Sequence, residues 1–357
     1  MDNVTNPEIL DLVGNAAFIV KDRIITHANN AAQQRQVLTG ANIREYICVG
    51  SQEYDSFHSG KLYLQLNITG IFYTACVTSY KESHLFTILS NYDSNELQAL
   101  ALAATHLKGP LQNILSGVSQ LSKDLPNSEN SANKEAVAQI SKNLYRLIRA
   151  VGNMTDASSA PANRIRQFVY GDITQAFKEW VDKIKVRLTS INRTLSFSGL
   201  SKPIYTMFDG HSVERALYNL ISNAVKFSPE YSEIMLKVSS VGNRLYITVE
   251  NNCLTSPIRA TQFFDHYLRE PGIEEDRFGI GLGLSVVRNI ALAHHGTLLI
   301  THKENNVISS SITLAITDNS TNVLKSPINI KVDYSGGLDL SFVELSDVLL
   351  DHAYEEL

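Results

Sequence analysis

The sequence predicts a multidomain α+β protein, and three observations carry that prediction. Short strand-like runs dominate residues 1–91, an apolar heptad repeat fills 92–160, and strand and helix patterns alternate over 161–317. A further stretch, 318–357, ends in acidic residues. At 357 residues the chain can hold two or three domains, each with a sizeable core. With 44% apolar and 19% charged residues, it has the composition of a globular protein, and no disorder is implied.

Charge and apolar patterning exclude several function classes. A net charge of −5 without a basic block gives no footprint for nucleic acid or an anionic membrane. No apolar run approaches the ~20 residues of a membrane span. The opening MDNVTNPEILDLVG lacks the basic start and apolar core of a signal segment, so a cytoplasmic location is expected. Cys48, Cys76 and Cys253 lie far apart without a CxxC pair, which argues for small buried residues in a reducing compartment rather than disulfides or zinc.

In the N-terminal part, Ala17–Lys21 and residues 23–27 read as strands of a hairpin turning at Asp22. A short helical stretch opens at Asn29, and three further strands are expected at 61–68, 72–77 and 84–89. Two strands, helices, then three strands, with VKDRIITHANNAAQQ at the start, resemble a PAS sensor domain. The resemblance implies a ligand-binding or dimerising input module. No cysteine motif for flavin photochemistry is present, and His27 and His58 read as turn or surface residues rather than haem ligands.

From Leu97 a strict repeat of seven sets in. Leu97, Ala104, Leu111, Val118 and Leu125 share one seam position; Leu100, Leu107, Ile114 and Leu121 share the other. Pro126 ends the helix, a turn follows at 127–131, and Val137, Ile140, Leu144, Leu147, Val151 and Met154 continue the rhythm in a second helix. A lone helical hairpin would leave these seams exposed. Two copies make a four-helix bundle that buries them, so a homodimer is expected.

Residues 214–229, ERALYNLISNAVKFSP, read as a helix with Val213, Leu217, Leu220 and Ala224 on one face. Asn219, Asn223 and Lys226 share another face, roughly 120° round. An Asn carbonyl is a hard oxygen ligand for Mg²⁺, and a Lys offsets phosphate charge. The same residues also suit an ordinary amphipathic helix facing water. Sixty residues on, Gly279, Gly281, Leu282, Gly283, Leu284 and Ser285 form a glycine-rich turn opening a helix, where backbone N–H groups and the helix dipole favour an anion. An aromatic-basic segment with Phe263, Phe264, Tyr267 and Arg269 lies between.

Asparagine box, Phe-and-Arg segment and glycine box, in this order and spacing, resemble the ATP-binding domain of sensor histidine kinases, a GHKL-type α/β sandwich. The resemblance implies ATP and Mg²⁺ as cofactors, with Asn223 as the Mg²⁺ ligand, Asn219 beside it, Lys226 and Arg269 toward phosphate, and Asn251 at adenine. Asn251-Asn252-Cys253 stands where the family has Asp-x-Gly; the Asn oxygen still accepts from adenine, while Cys253 would be penalised at a positive φ. Asn219 replaces the glutamate base of ATP-hydrolysing relatives, and an amide takes no proton from water, which disfavours hydrolysis. His294 and His295 precede Gly296 at a helix C-terminus, where a cationic capping role is expected.

The heptad region resembles the family's dimerisation and phosphotransfer helices, whose acceptor His precedes an acid, Leu, Arg, Thr or Asn, Pro and Leu. Here Thr105-His106-Leu107-Lys108-Gly109-Pro110-Leu111 puts Thr105 in the acceptor register and His106 one place on, about 100° round. Three readings stay open: His106 accepts phosphate, Thr105 does with His106 as base, or the site is dead. The expected function is ATP-dependent autophosphorylation and transfer to a response-regulator aspartate; the alternative is a nucleotide-binding adaptor without catalysis. The last segment, 318–357, with a strand-like run at 328–332, a turn at 335–337 and an acidic end from 344, reads as a packing appendage or a docking surface.

Overall fold

Asp22 and Arg23 both take positive φ, 50° and 66°, as a two-residue type I′ turn requires, and so join β1 (Ala17–Lys21) to β2 (Ile24–Ala28). The fold is that of a computed structural model, which describes residues 10, 14–80, 82–89, 94–124, 131–158, 167–253, 282–317 and 338–355. Asn29 caps α1 (Asn30–Gln34): its Oδ1 accepts from Ala32 N and from Ala17 N, tying helix to strand. After these come β3 (Ile47–Val49), α2 (Ser51–Asp55), β4 (Lys61–Ile68), β5 (Ile71–Tyr80) and β6 (Ser83–Ile88). They form an antiparallel sheet in the order β2-β1-β6-β5-β4, with β3 on β4. Its core holds Phe18, Val20, Leu62, Leu64 and Phe86, the two Phe rings stacked 4.9 Å apart.

The heptad region forms α3 (Ser94–Asp124) and α4 (Ser131–Ser158), which pack along each other. Most of the turn expected at 127–131 lies outside the described residues. Pro110 sits inside α3 and has no N–H to give the carbonyl of His106 four residues back. Leu115, Leu144, Ile148 and Val151 are buried, whereas Leu107, Ile114, Ile140 and Leu147 stay about half exposed, at 53, 52, 48 and 50%. One apolar line is therefore covered within the chain and another faces outward.

The third part runs β7 (Val169–Asp172), α5 (Ile173–Thr189), β8 (Thr194–Ser198), β9 (Tyr205–Phe208), α6 (Gly210–Phe227), β10 (Glu233–Val241), β11 (Arg244–Asn252), α7 (Gly283–Ala293), β12 (Leu298–Lys303) and β13 (Val307–Ala315). Strands β7 and β9 pair on their own; the others make a sheet ordered β8-β10-β11-β13-β12, with only β8 parallel to its neighbour among these pairings. Ile234, Leu236 and Val238 alternate inward along β10, and Phe177, Ile184, Leu217, Ile221 and Ile290 from the three helices fill the space above them.

Two sheets expected in separate parts of the chain are joined here. The first residues of β4 pair with β12, Leu298 opposite Tyr63, Leu299 opposite Leu62 and Ile300 opposite Lys61. The result is one eleven-stranded sheet. Gly60 makes the approach possible, with φ +91° and a position where a Cβ would lie 2.2 Å from the Ile300 carbonyl oxygen. Beside it, Thr313 Oγ1 donates to the buried Glu53 carboxylate at 2.8 Å, and Arg244 Nε stands 3.5 Å from the same oxygen.

The end of the chain folds back on the helices. Asp339 caps α8 (Leu340–Glu344) through Ser341 N, and a 3-10 turn follows at Asp351–Tyr354. Phe342, Leu345, Leu349 and Tyr354 are buried, with Phe342 and Tyr354 against Tyr145 of α4. The strand expected at 328–332 and the turn at 335–337 lie outside the described residues. Of the cysteines, Cys76 and Cys253 are buried as expected, but Cys48 is exposed. Among the described residues, no helix is long and apolar enough to cross a membrane.

Candidate functional site

Helix α6 begins at Asp209, whose carboxylate accepts from Ser212 N at 3.1 Å and from Ser212 Oγ at 2.7 Å. The Asp209 amide donates in turn to His294 Nε2 at 3.1 Å, and His294 Nδ1 bonds the Ile290 carbonyl at 2.8 Å. A ring nitrogen that accepts from an amide carries no proton, so His294 is the neutral Nδ1–H tautomer. It joins the end of α7 to the start of α6 by hydrogen bonds, not by the cationic capping expected from its position. His295 is exposed and left-handed, with φ 54°.

This clamp sets α6 and α7 side by side. Gly283, at the start of α7, comes so close to α6 that an added Cβ would lie 2.8 Å from Asn219 Oδ1. The asparagine helix and the last glycine of the glycine turn therefore meet. Asn223 is one turn on from Asn219 and partly buried; Leu282, Leu284 and Ser285 are partly buried at the other side of the contact. Gly279, Gly281 and Arg269 lie outside the described residues. Asn251 is buried near the end of β11, with its amide donating to the Asn252 carbonyl at 3.0 Å. Cys253 is not among the described residues with positive φ, so the strain expected of a side chain there does not arise. His106 is exposed on α3, and the side chain of Thr105 lies outside what is described.

Asn219 is fully buried, and its amide is already engaged. Its Nδ2 donates to Glu344 Oε2 at 2.9 Å and to the Arg215 carbonyl at 3.0 Å, while Arg149 Nη2 donates to its Oδ1 at 3.2 Å. Arg149 also meets Glu344 at 3.3 Å and Asp347 at 2.6 Å. Arg215 donates to Glu344 at 2.5 Å and to Asn153 at 2.9 Å, and pairs with Asp156. Lys226 Nζ stands 2.5 Å from Asp347 Oδ2. Two carboxylates from the end of the chain thus contact groups of α6 that the sequence assigned to magnesium and phosphate.

Electrostatics favour the charged form of Asp347 and work against that of Lys226. Burial works to raise the Asp347 carboxyl, but Arg149, Lys226 and Arg146 outweigh it and hold it down at about 2. Burial, with Arg149 adding repulsion, pulls the Lys226 ammonium down to about 8 against the attraction of Asp347. The Asp347 value lies below that of an unfolded-chain carboxyl, about 3.9. Its stabilising contribution is therefore complete above about pH 4 and is lost as pH falls toward about 2. On acidification, exchange protection of the Leu345 and Leu349 amides is expected to fall before that of the β10–β11 ladder. Simultaneous loss in both places would remove Asp347 as the cause.

Sequence reasoning missed Arg149, Asn153, Asp156, Arg215, Glu344 and Asp347. A signal was present. Arg149, Asn153 and Asp156 recur at i, i+4 and i+7 in an otherwise apolar helix rhythm, and Arg215, Asn219 and Lys226 form one stripe on α6. Polar residues at a helical period on a face that must be covered point to a buried polar interface.

Comparison with known proteins agrees with this layout. Residues 208–322 match the family of histidine kinase-, DNA gyrase B- and HSP90-like ATPases. Residues 208–322 thus carry a domain of that ATPase family, and the chain is similar to sensor histidine kinases. It is 30% identical over 208 residues to histidine kinase P4 of Formosa agariphila, covering 56% of this chain and 14% of that protein. It is 34% identical over 91 residues to the sensor histidine kinase CusS of Escherichia coli, covering 25% of this chain and 19% of CusS. Sensor protein KdpD of Escherichia coli is 29% identical over 212 residues, covering 56% of this chain and 22% of KdpD. The chain thus spans less than a quarter of the length of these relatives. A full-length ShkA structure in complex with AMPPNP matches 62% of this chain and 47% of that chain at 18% identity, with a TM-score of 0.48.

Proposed function

We propose that this chain is a dimeric sensor kinase that binds Mg·ATP between α6 and α7, phosphorylates itself on α3 and passes the phosphoryl group to a response-regulator aspartate. The observation that carries the reading is the seating of Gly283 against Asn219, which brings amide helix and glycine turn together inside the region matching the ATPase family. Asn223 offers a hard oxygen on the partly buried side of α6, a donor that suits Mg²⁺ with phosphate oxygens and water as the other ligands. When bound, the ion offsets charge on the phosphates. Lys226 and Arg269 serve the phosphates, the backbone of Gly279, Gly281 and Gly283 cradles them, and Asn251 meets adenine. An imidazole nitrogen of His106 bonds to the γ-phosphorus as the bond to the bridging oxygen breaks, leaving ADP. Pro110, which leaves the His106 carbonyl without its helical partner, loosens α3 where the imidazole must turn.

The remaining parts follow the same reading. The five-strand antiparallel order β2-β1-β6-β5-β4 supports a PAS-like input module. The outward line of Leu107, Ile114, Ile140 and Leu147 supports a four-helix stem made by two copies. A second reading, a nucleotide-binding adaptor without phosphotransfer, is favoured by Thr105 in the acceptor register and by the tail carboxylates on Asn219 and Lys226. Incubation with γ-labelled ATP separates them. Acid-labile label lost on His106→Ala is the expected result. Acid-stable label lost on Thr105→Ala would transfer the role to the threonine. Nucleotide binding without label would leave the adaptor, and steady phosphate release untouched by either change would point to hydrolysis.

A further inference from the structure

Residues 338–355 are a part of the molecule that the kinase reading does not use, yet they make several polar contacts with the candidate site. Glu344 and Asp347 are one helical turn apart, and both carboxylates point into the groove between α4 and α6. The groups they meet, an Asn amide, an ammonium and a guanidinium, are those that recognise phosphate oxygens. The segment is well anchored: Phe342, Leu345, Leu349 and Tyr354 are buried, Lys142 holds Asp351 at 2.8 Å, and Arg187 lies over the Phe342 ring at 3.6 Å.

We propose that residues 339–354 are an inhibitory plug in cis, in which Glu344 and Asp347 take the places of nucleotide phosphates on Asn219 and Lys226, so that tail docking and Mg·ATP binding exclude each other. The inference rests on the nucleotide reading of that site. Asp347 Oδ2 stands 2.5 Å from Lys226 Nζ, where a phosphate oxygen would have to sit, so the two anions exclude each other there by volume. The plug also ties α4 to α6 through Arg149, which touches Asn219, Glu344 and Asp347 at once. Leaving the groove therefore removes the tail's share of the ties between α4 and α6 in the same event, while Arg215 keeps Asn153 and Asp156. A signal that loosens the α4 contacts would raise nucleotide affinity with no change in the residues that bind it.

The test uses the full chain, with Mg²⁺ and a non-hydrolysable ATP analogue as probe. The double variant Glu344→Gln, Asp347→Asn keeps the shape of the tail and removes its charge. It is expected to bind the probe about tenfold more tightly than the wild type, the factor for a plug in place about nine-tenths of the time. In the wild type, saturating probe is expected to speed hydrogen exchange at the Leu345 and Leu349 amides. This second measurement decides the matter if the variant does not fold. Equal affinity in both proteins, or tail amides still protected at saturation, would overturn the plug while leaving nucleotide binding intact. No binding by either protein would overturn the nucleotide reading and the plug with it.

Discussion

Replacing Arg215 by alanine is expected to cost about 3–5 kcal/mol of folding stability, the usual loss when one partner of a buried ion pair is removed. The guanidinium is 8% exposed and serves three groups on two other elements: Asp156 and Asn153 on α4, and Glu344 on α8. Without it, the Glu344 carboxylate, 1% exposed, is left with Arg149 and the Asn219 amide among the described residues, and the Asp156 carboxylate, 4% exposed, loses its ion pair with Arg215. Neither can take up water without opening the groove. Arg215→Lys keeps the charge but not the fork, so it should fall between wild type and alanine. Urea unfolding of the three proteins measures this, read as the shift in midpoint at constant slope. A loss below about 1 kcal/mol for the alanine variant would mean that the network contributes little net stability.

The second large effect is expected at Gly60. A side chain there faces two obstacles: a left-handed backbone costs non-glycine residues roughly 1–2 kcal/mol, and the new Cβ would fall 2.2 Å from a backbone carbonyl that cannot swing away. Gly60→Val should therefore part β4 from β12, and with them the contact of Glu53 with Thr313 and Arg244. The expected outcome in calorimetry is two separated transitions in place of a shared one, with the N-terminal sheet melting as its own unit. A single transition at an unchanged temperature would contradict the role given to this junction.

How much of this was legible depends on the range of the signal. The Asp22 hairpin, the short helix opening at Asn29 and the two long helices are written in neighbouring residues, and the structure shows them close to their expected places. Strands β12 and β13 were not read. In β13, Ile308 and Ser309 are buried side by side, as are Ile312 and Thr313, so the alternation that reveals a half-buried strand is blurred. In the site, the helical stripe of Asn219, Asn223 and Lys226 was visible, and so was the glycine run. Their partners were not, because Arg149 and Glu344 are 195 positions apart and no periodicity connects them. An acidic terminus looks like a solvated tail when nothing marks the buried cations waiting for it.

The short pairing of β4 with β12 has one more consequence. Without the N-terminal part, β12 would have β13 on one side and bare N–H and C=O groups on the other, along residues 298–300. Such a rim is a template for any passing strand. A fragment beginning at 161 would therefore be expected to self-associate at concentrations where the full chain stays monodisperse. The first ninety residues thus shield that rim and keep the rest from sticking to itself.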